Sequence, residues 1–440
     1  MNNKKNSMAD ISVIGLALFA MFFGAGNLIF PPFLGMQAGS EWLSGFLSFF
    51  TADIGLALLA IFAIIKSGKG SMDGITGKLG NVPSKIINTL IVLCIGPFLA
   101  IPRTAATTYE MGVVPTFPGV NTWVFGAIFF GLVLLLTIRA TSVVDVIGKF
   151  LTPLLVIALL GLIIAGIVNP IGEIAPYSTV ETVKEGVLAG YQTLDVLASM
   201  VFVLIIISSA KDKGYTEEKD TMAIVMKSSI FAAVALCIVY GGLAYLGATT
   251  SGGGFEGYNQ TGLVVAITRA LIGEYGVLVL AIIVFFACLT TAIGLVSSCG
   301  TYFATLTNGK VSYEKVVVAT VLFSYLVSNL GISTIISIAA PILNLLYPVV
   351  LVMIFLTFFQ KRIENRNVFI YASLFAFIIS AADVLTGFGL EMPFLSYLPF
   401  ASYQLGWIVP AIIGGIVGKF VPMSTKARLH YAQERKSTTM

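Results

Sequence analysis

The chain reads as apolar runs of about twenty residues separated by short polar links, the length an α-helix needs to cross a hydrocarbon core. Twelve such runs lie near 10–38, 42–66, 84–111, 119–139, 142–168, 186–210, 221–249, 275–304, 313–331, 333–359, 367–388 and 401–421. The pattern predicts an all-α polytopic membrane protein of twelve transmembrane helices, with residues 1–440 forming one unit in the lipid bilayer. The links are short except 169–185 and 250–274. The second of these leads in through Gly252-Gly253-Gly254 to a half-apolar stretch, Thr261 to Ile272, expected to form a re-entrant or surface helix on the outer face.

Composition supports the reading. Of 440 residues, 57% are hydrophobic and 10% charged, with a mean hydropathy of +0.97. A soluble domain carries about a quarter charged residues, so most of this surface is expected to face lipid. The positions of the cations set an orientation. With both termini in the cytoplasm, every one of the 25 Lys and Arg residues except Arg103, Lys184 and Arg269 falls on the inner side. That inner set includes Lys4, Lys5, Arg139, Lys149, Lys426, Arg428, Arg435 and Lys436. The net charge of +4 therefore speaks to topology and gives no argument for nucleic acid. Met1 to Asp10 is short and polar and runs into a full-length span with no small-residue cleavage site, so the first helix is expected to be retained. Cys94, Cys237, Cys288 and Cys299 all sit in apolar stretches without CxxC spacing, as small buried hydrophobes do.

Candidate chemistry concentrates in a few spans. The first contains Phe22-Phe23-Gly24-Ala25-Gly26-Asn27, followed by Pro31-Pro32. Two glycines around an alanine at mid-membrane depth permit either close helix packing or a broken helix lining a cavity. A break would free amides and carbonyls of the kind transporters use for ions and charged substrate groups. The sixth span offers a second candidate interruption in Gly190-Tyr191-Gln192-Thr193-Leu194-Asp195, with Ala198 and Ser199 following. Spans one and six are five apart, as a five-plus-five inverted repeat requires, with 10–168 and 186–359 as the halves. Residues 367–421 would then be two additional helices and 422–440 a cytoplasmic tail. Asp195 is an acid inside an apolar segment, either functional or a buried structural carboxylate. Asp53 and Asp383 pose the same question.

The eighth span carries Ala287 and the pair Thr290-Thr291, which either offer oxygen ligands to a hard cation or bond back to their own helix. The third span has Pro97, Pro102 and Arg103 between Gly96 and Gly112, and the tenth has Pro341, Asn344, Tyr347 and Pro348. Both suggest helix breaks or gating positions. The single histidine, His430, lies in the basic tail as a solvated residue, and no HExxH or GxSxG motif occurs. No domain is present to house an enzyme, and no carbonyl-rich pore-loop repeat marks a channel.

Together these segments resemble the bacterial branched-chain amino acid:cation symporters. The likeness rests on Phe23 through Pro32, Ile95-Gly96-Pro97 through Pro102-Arg103-Thr104 to Glu110-Met111-Gly112, Leu194 through Ser199, and Leu346-Tyr347-Pro348. It runs to about Gly415. That family is similar in turn to transporters with the leucine-transporter fold, part of the amino acid-polyamine-cation superfamily. The resemblance implies a multi-pass protein of the bacterial cell (inner) membrane that takes up leucine, isoleucine and valine. The coupling ion would be sodium, with no other cofactor; the alternative is a proton-coupled or exchange carrier for other amino acids on the same fold. It implies a sodium site from the carbonyls of Ala20, Phe23 and Ala287 with the hydroxyls of Thr290 and Thr291. Substrate would lie at Phe23, Gly24, Ala25, Gly26 and Asn27 against Tyr191, Thr193, Asp195, Ala198 and Ser199. One departure stands out: neurotransmitter-type relatives place an arginine soon after the Asn, where this chain has Leu28-Ile29-Phe30, leaving Arg103 as a possible substitute.

Overall fold

The computed structural model describes residues 7–138, 143–423 and 431, with side chains of the fifth apolar run described from 153 onward. Lys4, Lys5, Arg139, Lys149, Lys426, Arg428, His430, Arg435 and Lys436 lie outside these side-chain descriptions. Among the described residues the secondary structure is entirely helical. Seven helical stretches are long and apolar enough to cross a membrane, and five shorter apolar helices accompany them.

The first apolar run is two helices, α1 (Met8–Phe22) and α2 (Ala25–Ala38). The second comprises α3 (Trp42–Phe50), a π-helical turn (Thr51–Gly55) and α4 (Leu56–Ser67). The third comprises α5 (Asn81–Leu93), a π turn containing Gly96 and Pro97, and α6 (Ala100–Thr108). Then follow α7 (Thr122–Ile138) and α8 (Val143–Val168). The sixth run is again split, into α9 (Thr182–Thr193) and α10 (Asp195–Asp212). Continuous helices complete the chain: α11 (Glu218–Ala248), α12 (Gln260–Ile272), α13 (Glu274–Leu306), α14 (Tyr313–Ser328), α15 (Ile332–Phe358), α16 (Asn367–Gly387) and α17 (Ile408–Phe420).

Packing sorts these helices into two bundles. In one, α1 and α2 lie on α11, α9 lies on α3, and α10 lies on α4. In the other, α13 packs on α6, α7 and α14. The pair α16 and α17 attaches through α15. In the first bundle aromatic side chains pack between helices, as Phe49 and Phe23 do on Tyr240, while α2 and α11 approach backbone to backbone. A Cβ added at Gly35 of α2 would collide with the Ala244 carbonyl of α11, and one at Gly247 of α11 would collide with the Pro32 carbonyl. In lipid, where apolar burial between helices gains little, such close small-residue contacts carry association.

Glu110 ties three elements. Its Oε2 accepts from the Thr261 hydroxyl at 2.6 Å and the Asn259 amide at 3.1 Å, while Oε1 accepts from the Ile332 backbone N–H at 3.1 Å. This carboxylate pins α12 and the start of α15 against the C-terminal end of the third run. The stretch expected over Thr261 to Ile272 is thus a helix laid on α2 and α13, with Asn259 as its N-cap, accepting from Gly262 N–H at 2.8 Å.

Two expectations need correction. The tenth run is unbroken, because α15 continues through Asn344 and Tyr347 with Pro341 and Pro348 inside it. The twelfth is helical only from Ile408; Phe400 and Gln404 adopt left-handed backbone and turn the chain before Trp407. At 13 residues, α17 is about 20 Å long, shorter than a ~30 Å core.

Substituting Gly247→Leu is expected to separate α2 from α11 and cost roughly 1–3 kcal/mol or more. Size-exclusion chromatography of detergent-solubilised protein should show loss of the monodisperse peak. Gly131→Leu, where an added Cβ meets nothing within 4 Å, should leave that peak intact.

Candidate functional site

The end of α1 shows how local sequence makes the first break. Phe23 takes φ −72° and ψ 82°, and Gly24 N–H turns back to the Phe22 carbonyl at 2.8 Å, an inverse γ-turn. Gly24 then takes an extended conformation (φ −107°, ψ −170°) that opens α2. The last carbonyls of α1 and the first amides of α2 therefore meet in the middle of the bundle without following turns to satisfy them. Pro31 and Pro32, lacking N–H groups, also leave the Asn27 and Leu28 carbonyls without their helical donors.

The second break is sharper. Leu194 alone separates α9 from α10, in left-handed conformation at φ 70° and ψ 7°. For a residue with a Cβ this conformation costs about 1–2 kcal/mol, so the surroundings must hold it. Arg103 of α6 is one holder. Its guanidinium donates to the Gln192 carbonyl at 2.5 Å and to the Thr193 carbonyl at 3.1 Å, the last two carbonyls of α9. A cation there also complements the negative end of the helix. The same group lies over the Phe30 ring at 5.8 Å and against Gly26, where a Cβ would come within 3.0 Å of Nη2. Arg103, 4% exposed, thus touches both breaks.

Asn27 joins them from the other side. Its Oδ1 accepts from Gly24 N–H at 3.4 Å, and its Nδ2 donates to Asp195 Oδ2 at 2.7 Å and Asp53 Oδ2 at 3.4 Å. Asp53 belongs to the π turn of the second run and is fully buried. The Thr193 hydroxyl lies 2.7 Å from Asp53 Oδ1 and 2.6 Å from the Gly190 carbonyl. The absent side chain of Gly190 is what lets α9 approach this turn: a Cβ there would lie 3.0 Å from the Phe49 carbonyl oxygen. Two buried carboxyl groups, one amide, one hydroxyl and one guanidinium from four separate runs are therefore gathered at the two helix breaks.

A narrow cavity runs along this cluster. Its polar lining comes from Asn27, Arg103, Thr104, Thr193, Asp195 and Thr291, and its apolar wall from Phe22, Ile95, Ala100, Ala198, Phe202 and Leu295. Gly24 and Ala25 also line it. Thr291 of α13 sits beside the first break, its methyl 3.9 Å from where a Gly24 Cβ would be. The Thr291 hydroxyl donates to the Ala287 carbonyl at 3.0 Å, and the Thr290 hydroxyl lies 2.9 Å from the same carbonyl. Among the described residues no group of three or more His, Cys, Asp or Glu is placed to hold a metal; the cavity offers oxygens of Asn27, Thr104, Thr193, Asp195 and Thr291.

The remaining candidates are placed elsewhere. The Phe23 ring stacks on Phe19 at 5.4 Å in apolar surroundings, leaving only its backbone at the break. Ala20 is half-buried and does not line the cavity. The Ser199 hydroxyl bonds back to Val196 at 2.7 Å. Tyr191 stacks on Tyr347 at 4.3 Å, both rings buried, and Tyr191 lines a second pocket with Asn344 and Asp383. Asp53 was visible in sequence as a membrane acid, but its partnership with Asn27 and Thr193 had no local signal.

Comparison with known proteins places this geometry. The family described as branched-chain amino acid transport protein matches residues 7–425. The chain is 37% identical over 433 residues to the branched-chain amino acid permease BrnQ of Bacillus subtilis, covering 94% of this chain and 97% of that one. It is 36% identical to the branched-chain amino acid transport system 2 carrier protein of Pseudomonas aeruginosa, covering 92% and 94%. Both are transporters by name, not enzymes. Among solved structures it superposes on Mhp1, a nucleobase-cation-symport-1 family transporter with bromovinylhydantoin bound, with TM-score 0.62 at 13% identity, covering 99% of each chain. It also superposes on MhsT in complex with L-phenylalanine, with TM-score 0.55 at 14% identity, covering 92% and 97%. At such identities the likeness is one of fold, that of leucine-transporter-like carriers. On the family match and these relatives, the chain belongs to the branched-chain amino acid transport protein family.

Proposed function

We propose that this protein carries leucine, isoleucine and valine into the bacterial cell by sodium-coupled symport with alternating access. In this reading twelve spans cross the inner membrane with both termini cytoplasmic, and the broken first and sixth runs are equivalent members of a five-plus-five inverted repeat. The observation that carries the proposal is the meeting of the two helix breaks at Asn27, Asp53, Asp195 and Arg103 beside an apolar wall. The names of the relatives supply the substrate class.

The cluster suits an amino acid. The N-termini of α2 and α10 both face the cavity, and free amides at a helix start favour a carboxylate. Counted as ionised, two carboxylates against one guanidinium leave an excess negative charge, which a substrate ammonium or a coupling cation neutralises. Phe22, Ile95, Ala198, Phe202 and Leu295 supply the surface for a branched aliphatic tail. One methylene is worth only about 1–3 kcal/mol of discrimination, so three substrates share one such site. Sodium would bridge carbonyls at the end of α1 to Ala287, Thr290 and Thr291. Holding α1 in its broken form, it would raise substrate affinity, and substrate would raise sodium affinity by the same factor.

Purified protein in liposomes should accumulate leucine under an inward sodium gradient with no proton gradient. Thr291→Ala should raise the half-saturating sodium concentration roughly tenfold, the equivalent of about 1.4 kcal/mol. Uptake that instead requires a pH gradient and ignores sodium would transfer the coupling role to the paired carboxyl groups Asp53 and Asp195, whose shared Asn27 contact favours that second reading.

Arg103→Lys tests the site itself. A single ammonium cannot span both carbonyls as the planar guanidinium does. Leucine transport should fall at least roughly tenfold in kcat/KM while the protein remains folded by size-exclusion chromatography. Wild-type transport in Arg103→Lys would show that the clamp on α9 is dispensable.

A further inference from the structure

A long apolar groove lies on the lipid-facing side of the molecule, away from the transport cavity. Its walls are Val352, Phe355, Leu356 and Phe359 of α15 and Ile408, Ala411, Ile412 and Ile416 of α17, and its floor is Val368 and Ala372 of α16. Close packing creates it. Gly414 and Gly418 press α17 onto α16, where added Cβ atoms would collide with the Tyr371 and Asn367 carbonyls. Gly415 adds no side chain to fill the space beside them. The walls are open, with Phe355 42%, Ile412 58% and Ile416 56% exposed.

One end of the groove is charged. Arg362 and Lys419 stand at its cytoplasmic mouth, both exposed, with the carboxylate of Glu364 in the same mouth. Among the described residues, neither cation has an ion-pair partner within 4.0 Å. From Trp407 to Lys419 the groove follows α17 for about 18 Å, slightly more than the ~15 Å depth of one leaflet's hydrocarbon. An apolar slot of leaflet depth, capped by two cations against one acid at the cytoplasmic surface, matches one molecule.

We propose that this groove is a binding site for an anionic phospholipid of the cytoplasmic leaflet. An acyl chain lies between α15 and α17, and the phosphate is held by Arg362 and Lys419. The charges also decide against a second copy of the chain as occupant. A two-fold contact through this face would set Arg362 and Lys419 near their own copies, which is repulsive. Because α16 and α17 reach the transport bundle through α15, a lipid here would brace the helix that carries Tyr347.

Native mass spectrometry of the full chain, equilibrated in detergent with phosphatidylglycerol or phosphatidylcholine, tests the site. Wild type is expected to retain phosphatidylglycerol over phosphatidylcholine. The double variant Arg362→Gln/Lys419→Gln should lose roughly thirtyfold in phosphatidylglycerol affinity, the factor that two cations near a lipid surface are worth. Gly415→Leu should retain neither lipid; its Cβ would meet Ala372 and Val368 at 3.7 Å, ordinary contact that leaves the fold intact. Inorganic phosphate should not displace the lipid. Equal retention of both lipids by wild type would overturn the proposal, as would unchanged phosphatidylglycerol binding in the double variant. So would displacement by phosphate alone, or crosslinks placing a second copy on α17.

Discussion

A membrane interior has no water to satisfy backbone polar groups, and this multi-pass protein breaks two of its apolar helical runs. Everything around the breaks follows from that constraint. The carbonyls at the end of α9 are taken by Arg103, Gly24 N–H turns to the Phe22 carbonyl, and Asn27 caps its own helix while reaching Asp195 and Asp53. The structural solution to the broken backbone and the proposed binding site are one arrangement.

The breaks also explain why polar residues from distant runs are buried together. A charge such as that of Arg103 inside the protein is costly unless it is paired and hydrogen-bonded. Here its partners are two carbonyls fixed by a strained Leu194, so the guanidinium and the left-handed residue support each other. Arg103 also lies against Gly26 and over Phe30. The small-residue contacts of Gly35 and Gly247 seat α2 directly on α11.

The apolar helical runs were legible in the sequence, because span length is a local signal. The Gly24 to Asn27 interruption and its counterpart five runs later were legible for the same reason, through glycines, polar residues and spacing. The exact position of the second break was not: it falls at Leu194, which has no turn propensity and is held left-handed only by tertiary contacts. Tyr191 belongs to the second pocket and its stack with Tyr347 rather than to the lining of the central cavity, a placement set by how α9 meets α15. The prolines of the tenth run suggested a break that α15 does not make, since neighbours accommodate them within a continuous helix. The short α17 was hidden because an apolar run does not show where left-handed residues such as Phe400 and Gln404 hold off the start of a helix.

The central claim is that the cargo lies between the two breaks. The most direct measurement is a structure of the protein with leucine and sodium. The account predicts leucine density with its carboxylate toward the amides of Gly24 to Asn27, its ammonium near Asp195, and its tail against Ala198 and Phe202. Leucine density confined to the second pocket beside Asn344 and Asp383, with the Asn27–Asp195 contact unchanged and the central cavity empty, would contradict it.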